Sequence, residues 1–308
     1  MYSALITDNP SPILVKKLND YGIETTSYPT LTHHELKDCI HLYDALVIRS
    51  ATKISEDVLI NASKLKVIGR AGVGLDNINQ QATNKLSITV INTPTASSRT
   101  TAEFNIGLLF SLARKIPQAH LSIHDNQWNR SQFTGCEIYG KTLGIIGFGN
   151  IGSIVCELAS SLGLNVLAFD PFVSESIIQS KGGKKASFDT VIQSSDFISL
   201  HTTLNSKTEG MINRKIFKKM KNSAQIINGS RGKIMNEEDL IDALKTGEIQ
   251  GAALDVFANE PHINKKLLNL PGIILTPHLG ASSLEAQHNI SLHLAQKVHD
   301  SLLNWKPA

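Results

Sequence analysis

The chain has 308 residues, 41% of them apolar, with a formal net charge of +3 and three cysteines. That length allows two domains with substantial cores, and no apolar run approaches the roughly eighteen residues of a membrane span. The charge balance is too close to neutral for a dedicated nucleic-acid binder, and Cys39, Cys136 and Cys156, odd in number and far apart, point to a reducing compartment rather than a disulfide framework or zinc site.

The opening stretch Met1-Tyr-Ser-Ala-Leu-Ile-Thr-Asp8 reads as a strand ending on an acid. It lacks the basic start, apolar middle and cleavage site of a signal peptide, so a soluble cytoplasmic protein is expected. That strand is expected over 4–7 and others over 44–48, 66–69 and 89–92, separated by segments of helix length, one opening on Ser55 as N-cap before two acids. This alternation is that of a parallel, doubly wound sheet without a glycine-rich phosphate turn. Thr93-Pro94 closes the block. An amphipathic helix over 100–115 follows, with Phe104, Leu108, Leu109 and Leu112 on one face; Pro117 is expected to stop it, and 120–128 to form another helix.

Residues 141–170 make the most specific pattern: an apolar strand, the turn Gly147-Phe-Gly149-Asn-Ile-Gly152, a helix, and a second strand ending at Asp170. That is a βαβ unit of about thirty residues, the context a dinucleotide site requires. Gly147 permits the sharp turn, Gly149 a close backbone approach to pyrophosphate, and Gly152 close packing of the helix. The helix opening at Asn150 and Ile151 presents its N-terminal dipole to phosphate. Asp170 stands where a carboxylate bonds a ribose 2′-hydroxyl and repels a 2′-phosphate, so NAD is preferred to NADP.

Beyond Asp170, strands are expected at 196–200, 224–228, 251–257 and 273–275, and a helix at 237–245. A short helix carries Arg214, Lys215, Lys218, Lys219 and Lys221 on its wet side, with Ile216, Phe217 and Met220 turned inward. The last helix, 284–305, has Leu292, Ala295, Val298 and Leu302 in register and is expected to return to the first domain. Histidines such as His33, His34, His288 and His293 show no zinc-ligand spacing, so no metal is expected.

Three strand-end segments carry the chemistry: Ile227-Asn-Gly229-Ser230-Arg231-Gly232, Asp255-Val-Phe-Ala-Asn-Glu260-Pro261, and Thr276-Pro277-His278-Leu-Gly280-Ala281. With the glycine turn, with Val47-Ile-Arg49-Ser-Ala-Thr-Lys53, with Val67-Ile-Gly-Arg70-Ala-Gly-Val73-Gly74-Leu-Asp-Asn77 and with Trp128-Asn-Arg-Ser-Gln-Phe-Thr-Gly135, they resemble the D-isomer-specific 2-hydroxyacid dehydrogenases, in particular the phosphoglycerate branch, over nearly the whole chain.

The resemblance implies an α/β fold of two doubly wound Rossmann-like parallel-sheet domains with a cleft between them. Residues 1–98 plus 284–308 would form a flavodoxin-like substrate-binding domain, and 99–283 an NAD-binding Rossmann domain. It implies NAD-dependent oxidation of D-3-phosphoglycerate to 3-phosphohydroxypyruvate, the entry to serine synthesis, in a homodimer that binds neither nucleic acid nor membrane. It also implies a short form lacking the C-terminal serine-sensing domain.

Interconverting a 2-hydroxy and a 2-oxo acid needs a cation for carboxylate and carbonyl and a group that moves the hydroxyl proton. Arg231 offers a planar, permanently charged fork. His278 suits the general acid/base, and Glu260 can orient the imidazole and stabilise its protonated form. Singly, each has a plainer reading: a surface ion pair, a helix cap, a turn residue. It is their convergence at strand ends beside a dinucleotide unit that points to catalysis.

Carried over by position, the resemblance adds cofactor contacts at Thr202, Gly229, Ser230, Asp255, His278, Gly280, Ala281 and Val73. It adds substrate contacts at Arg49, Arg70, Val73, Gly74 and Arg231, with the two first-domain arginines meeting the phosphate. Three positions depart from the family pattern. Asn150 replaces a usual arginine, Thr203 a usual proline, and Thr95 to Ser98 a glycine-asparagine-serine turn near the substrate. Two alternatives stay open: reduction of another 2-oxo acid such as glyoxylate, hydroxypyruvate or pyruvate, and a non-catalytic NAD-sensing corepressor.

Overall fold

The computed structural model describes residues 1–9 and 11–306; residues 10, 307 and 308, which the expected first domain includes, lie outside them. The chain divides into two compact units, Met1–Ser97 with Ala281–Ala308, and Ser98–Gly280.

In the first unit the strands are β1 (Tyr2–Ile6), β2 (Ile23–Ser27), β3 (Ala45–Ile48), β4 (Val67–Arg70) and β5 (Thr89–Asn92). They form one sheet in the order β2-β1-β3-β4-β5, parallel throughout. Every residue of β3 is buried, as expected of a central parallel strand covered on both faces. The helices are α1 (Pro12–Asp20), α2 (His33–Cys39), α3 (Glu56–Leu59), α4 (Gln80–Lys85) and the last helix of the chain, Leu284–Leu303. Side chains alternate across the strands, so Leu5, Leu46 and Ile68 pack with Leu36 and Val58. Ile6, Val47 and Val67 face the other way, toward Leu18, Leu294 and Val298. A Cβ on Gly69 would come within 3.1 Å of Val298 and 3.2 Å of Leu294; the bare backbone lets the last helix lie close. Each such fully buried aliphatic side chain contributes about 1.5–3 kcal/mol.

In the second unit the strands are β6 (Thr142–Ile146), β7 (Asn165–Phe169), β8 (Gly183–Lys185), β9 (Phe197–Leu200), β10 (Gln225–Asn228), β11 (Gly251–Leu254) and β12 (Ile273–Leu275). They pair in parallel in the order β12-β11-β10-β9-β6-β7-β8. The order reverses between β6 and β9, and the crevice outside the carboxyl ends at such a reversal is where open α/β sheets bind ligands. The helices are α5 (Ser98–Arg114), α6 (Ile116–His124), α7 (Asn150–Ser161), α8 (Glu175–Ser180), α9 (Phe188–Ser194), α10 (Arg214–Phe217) and α11 (Glu237–Thr246), and the last helix becomes α12. Among the described residues no helix is long and apolar enough to cross a membrane.

Several expectations need correction. Two strands were not anticipated: β2 buries only Ile23 of five residues, and β8 is a three-residue edge, Gly-Lys-Lys, so neither shows an apolar run. The strand expected over 251–257 ends at Leu254 because the chain turns at Asp255. Pro117 does not stop α5. Lys115 does, in a left-handed conformation at φ 53°, and Pro117 sits in the first turn of α6, where its missing N–H costs nothing. In α12, Leu294 and not Leu292 lies fully in the core. The short basic helix is confined to α10, Arg214–Phe217, so Lys218, Lys219 and Lys221 follow it; Lys219 pairs with Asp189 and the partly buried Lys221 with Asp196, both at 2.8 Å, while Phe217 and Met220 are buried.

Candidate active site

The glycine turn lies between β6 and α7. Gly147 has φ 94°, and a Cβ there would stand 2.7 Å from the His201 carbonyl carbon and oxygen. Only glycine fits, because the turn is pressed against the segment leaving β9. A Cβ on Gly152 would meet the Gly147 carbonyl oxygen at 2.2 Å, whereas Gly149 faces open space. Gly152 therefore seats the helix on the turn itself, and Gly149 leaves room for a ligand. Gly149 is also the N-cap of α7, so Asn150 and Ile151 open a helix whose cap brings no side-chain acceptor of its own, as anion sites at helix N-termini require.

Asp170, at the end of β7, accepts the Phe148 N–H and the Phe172 N–H, each at 2.8 Å. It ties the glycine turn to the neighbouring strand, and a carboxylate has further lone pairs for a ribose hydroxyl. Thr202 follows β9, and its hydroxyl is buried with no hydrogen-bond partner among the described residues. An orphaned buried oxygen beside this turn fits a site whose remaining polar partner belongs to a ligand. Beneath it His201 bonds Ser199 Oγ through Nε2 at 2.8 Å, and burial holds the imidazole pKa down at about 4, so it stays neutral.

Arg231 is launched from β10 by a turn that Asn228 organises. The Asn228 carboxamide oxygen accepts from Ser230 N–H and Oγ at 3.2 and 3.0 Å, and its amide donates to the Arg231 carbonyl at 3.0 Å. The two glycines let this turn press inward. A Cβ on Gly229 would strike Asn105 of α5 at 2.6 Å, and one on Gly232 the Phe257 carbonyl carbon at 2.0 Å. One arm of the guanidinium, Nη1, donates to the Ser230 carbonyl at 2.6 Å.

His278 follows β12, in left-handed backbone at φ 55°. Asp255, 1% exposed, holds it there. Its Oδ1 accepts Thr276 Oγ1 at 2.6 Å and Leu279 N–H at 2.8 Å, its Oδ2 accepts Gly280 N–H at 2.8 Å, and its carbonyl accepts the His278 N–H at 2.9 Å. So Asp255 clasps the turn that carries the histidine. Ala281, next along, accepts from the Gln287 amide at 3.0 Å through its carbonyl.

Glu260 Oε2 meets His278 Nδ1 at 2.8 Å, and its Oε1 accepts the Phe257 N–H at 2.9 Å. Burial pushes the Glu260 carboxyl upward. The His278 and Phe257 hydrogen bonds and the charges of His278 and Arg231 outweigh it, so the group lies below its usual range. An ionised carboxylate only accepts, so Nδ1 carries the proton and Nε2 is left for a substrate. Arg231, Glu260 and His278 thus come together in the second unit.

Arg49, Arg70, Val73 and Gly74 lie in the first unit, at and beyond the ends of β3 and β4. The Arg70 guanidinium folds over Gly72, where φ is 144° and a Cβ would lie 1.7 Å from Nη1. The Val73 carbonyl accepts from Asn92 Nδ2. Among the described residues no group of three His, Cys, Asp or Glu side chains is placed to hold a metal ion. The roles of Asn228 and of the Asp255 carboxylate were not anticipated; an asparagine before a glycine at a strand end is the one signal that marked the first.

Residues 106–280 match the model of the D-isomer specific 2-hydroxyacid dehydrogenase, NAD binding domain. The D-3-phosphoglycerate dehydrogenase of Bacillus subtilis is 43% identical over 86% of this chain and 50% of its own length. That of Methanocaldococcus jannaschii is 42% identical over 97% of this chain and 57% of its own; the chain spans about half the length of these relatives. Among solved structures, the apo D-lactate dehydrogenase of Escherichia coli superposes with a TM-score of 0.86 at 27% identity, covering 99% of this chain and 98% of that one. The NAD-complexed D-isomer specific 2-hydroxyacid dehydrogenase of Lactobacillus delbrueckii gives 0.79 at 29% identity, with 99% and 98% covered.

Proposed function

Because the chain belongs to the D-isomer specific 2-hydroxyacid dehydrogenase family, with the NAD-binding domain in its second unit, we propose that it oxidises D-3-phosphoglycerate to 3-phosphohydroxypyruvate, the first step of serine synthesis. The names of the relatives support the substrate. The observation that carries the chemistry is the 2.8 Å contact between His278 Nδ1 and Glu260, whose carboxyl also feels the Arg231 charge.

NAD, when bound, supplies the acceptor for the hydride leaving C2 of the substrate. His278 Nε2 takes the hydroxyl proton as the carbonyl forms, and Glu260 stabilises the resulting imidazolium. Arg231 binds the substrate carboxylate and the C2 oxygen, holding the substrate in one orientation. Gly147, Gly149, Asn150, Ile151 and Gly152 would hold the pyrophosphate, Asp170 the ribose, and Thr202, Gly229, Ser230, Asp255, Gly280, Ala281 and Val73 would meet the rest of the dinucleotide. Arg49 and Arg70 supply cations for the phosphate, with Val73 and Gly74 along the substrate.

The protein acts in this reading as a cytoplasmic homodimer. Its three cysteines stand as separate thiols. Leu121, Ile123 and Trp128 are 61, 56 and 80% exposed around α6, beside a hollow of about 270 Å³ lined by Trp128 and Phe133, a surface suited to a second copy of the chain.

Purified protein assayed with NAD and D-3-phosphoglycerate, and with NADH and phosphohydroxypyruvate, hydroxypyruvate, glyoxylate and pyruvate, tests the reading. Preference for the phosphorylated pair is expected. The similarity to D-lactate dehydrogenases favours a second reading, a reductase of unphosphorylated 2-oxo acids, which preference for pyruvate would establish. Tight NADH binding without turnover on any substrate would overturn both in favour of a binding protein.

A further inference from the structure

The strand-ending acid at position 8 has no part in the chemistry above, yet it is 7% exposed and sits at φ 64°, followed by Asn9 at φ 55°. Aspartate and asparagine are the non-glycine residues that tolerate left-handed backbone, and two in succession persist where surrounding contacts over-determine them. The contacts in question all lead to one place. Asp8 Oδ2 accepts the N–H of Arg49 at 2.9 Å and the N–H of Thr52 at 3.0 Å, and Oδ1 accepts the Thr52 hydroxyl at 2.7 Å. Thr52 Oγ1 is in turn 2.9 Å from the hydroxyl of Thr7.

A second side chain holds the same segment by its opposite groups. Asn77 Nδ2 donates to the Arg49 carbonyl at 2.8 Å and to the Thr52 carbonyl at 2.6 Å. The four-residue segment from Arg49 to Thr52 therefore has both N–H groups and both carbonyls of its two end residues bonded by one carboxylate and one carboxamide. Between them Ser50 and Ala51 are exposed. Among the described residues the Arg49 guanidinium itself enters no hydrogen bond or ion pair. The backbone is thus locked on both sides while the one permanent charge it carries is kept for something else.

We propose that Asp8 and Asn77 are positioning residues that clamp the segment Arg49 to Thr52, so that Arg49 meets the phosphate of the substrate at a fixed place. The inference rests on the reading of Arg49 as a phosphate contact and deepens it. A flexible segment would have to be ordered at each binding event, at a cost in conformational entropy; the clamp places that ordering in the fold. It is a geometric device rather than an electrostatic one. The Asp8 carboxylate is used as an acceptor of three hydrogen bonds, and a carboxamide in its place could accept both N–H groups through its oxygen while its amide faced the Thr52 hydroxyl, which accepts as well as donates.

The test is the ratio of kcat/KM for phosphohydroxypyruvate to that for hydroxypyruvate, with NADH, in Asp8→Ala, Asp8→Asn, Asn77→Ala, Arg49→Ala and the doubles with Arg49→Ala. Asp8→Ala and Asn77→Ala are each expected to lower the ratio roughly tenfold, chiefly through KM for the phosphorylated substrate, the scale of a misplaced binding group. Asp8→Asn, which tolerates left-handed backbone, should restore most of the ratio. In the Arg49→Ala background neither clamp variant should lower it further, a result a merely structural role would not give. If Asp8→Ala does not fold, as judged by thermal unfolding, Asn77→Ala carries the test. Parental ratios in both clamp variants, with the ratio lowered in Arg49→Ala, would overturn the clamp and leave the phosphate reading intact. A parental ratio in Arg49→Ala would overturn the phosphate reading, and the clamp with it.

Discussion

Glu260→Gln isolates what the carboxylate contributes to catalysis. Glu260 receives two N–H donors on two different oxygens, Phe257 N–H at 2.9 Å and His278 Nδ1–H at 2.8 Å. Glutamine has one oxygen and one NH2, so it can satisfy one donor and must face the other with a donor. The negative charge opposite the imidazolium is lost in either case. A hydrogen bond to a charged group contributes about 1.5–3 kcal/mol. With the two side chains 40% and 34% exposed, solvent screening puts the loss near the lower end. Because about 1.4 kcal/mol is a factor of ten in rate, kcat should fall roughly tenfold or somewhat more. The assay is steady-state oxidation of D-3-phosphoglycerate, with NADH affinity measured separately by nicotinamide fluorescence and expected near parental. The pair also has an acid-side signature. The Glu260 carboxyl lies below its ordinary range, so its contribution to stability is complete above that range and is lost as pH falls through the folded value. Glu260→Gln should lack that component of acid sensitivity. Parental kcat in the variant would refute the assignment of Glu260 as the partner of the catalytic imidazole.

His278→Asn, a residue that tolerates the φ of 55° found there, should lower kcat roughly a hundredfold or more while leaving NADH binding nearly parental; comparable losses in both would point to a collapsed turn instead. Asp170→Ser should relax the preference for NAD over NADP by removing the carboxylate that opposes a 2′-phosphate, and the ratio of kcat/KM for the two cofactors reads it directly. In the first unit, Asp44 is buried but held at a pKa of about 2. Burial opposes this and is outweighed by hydrogen bonds from Lys66, Ser3 and Lys64. Its contribution is present above the ordinary aspartate value near 3.8 and is lost as pH falls toward 2, so Asp44→Asn should lower Tm at neutral pH and narrow the gap from the parent in that acid window. An equal Tm deficit at every pH would sink that account.

The architecture was legible because parallel strands buried on both faces appear as short apolar runs, and because turns that demand glycine cannot hide. Two strands were read to their ends, Thr89–Asn92 and Ile273–Leu275, and a third, β7, was read one residue too long, to Asp170. Edge strands β2 and β8 escaped because an edge strand half open to water needs no apolar face. Pro117 misled for a local reason: proline is equally at home just after one helix and in the first turn of the next.

At the candidate site, residue types carried the chemistry. A histidine, a glutamate and an arginine at three strand ends, beside a glycine turn with an acid after the following strand, restrict the plausible reactions, since each group is chosen for its charge or proton affinity. Residue types do not encode where backbone donors and acceptors go once strands far apart in the chain are neighbours. Asp255 spends its carboxylate on Thr276, Leu279 and Gly280, and Asp8 reaches forty-one residues ahead to the Arg49 N–H. Those bonds hold the histidine and the loop at left-handed and clamped geometries that local preference would not choose. They exist only because the assembled sheets place strand ends side by side, where buried polar groups must find partners or forfeit the free energy of hydration.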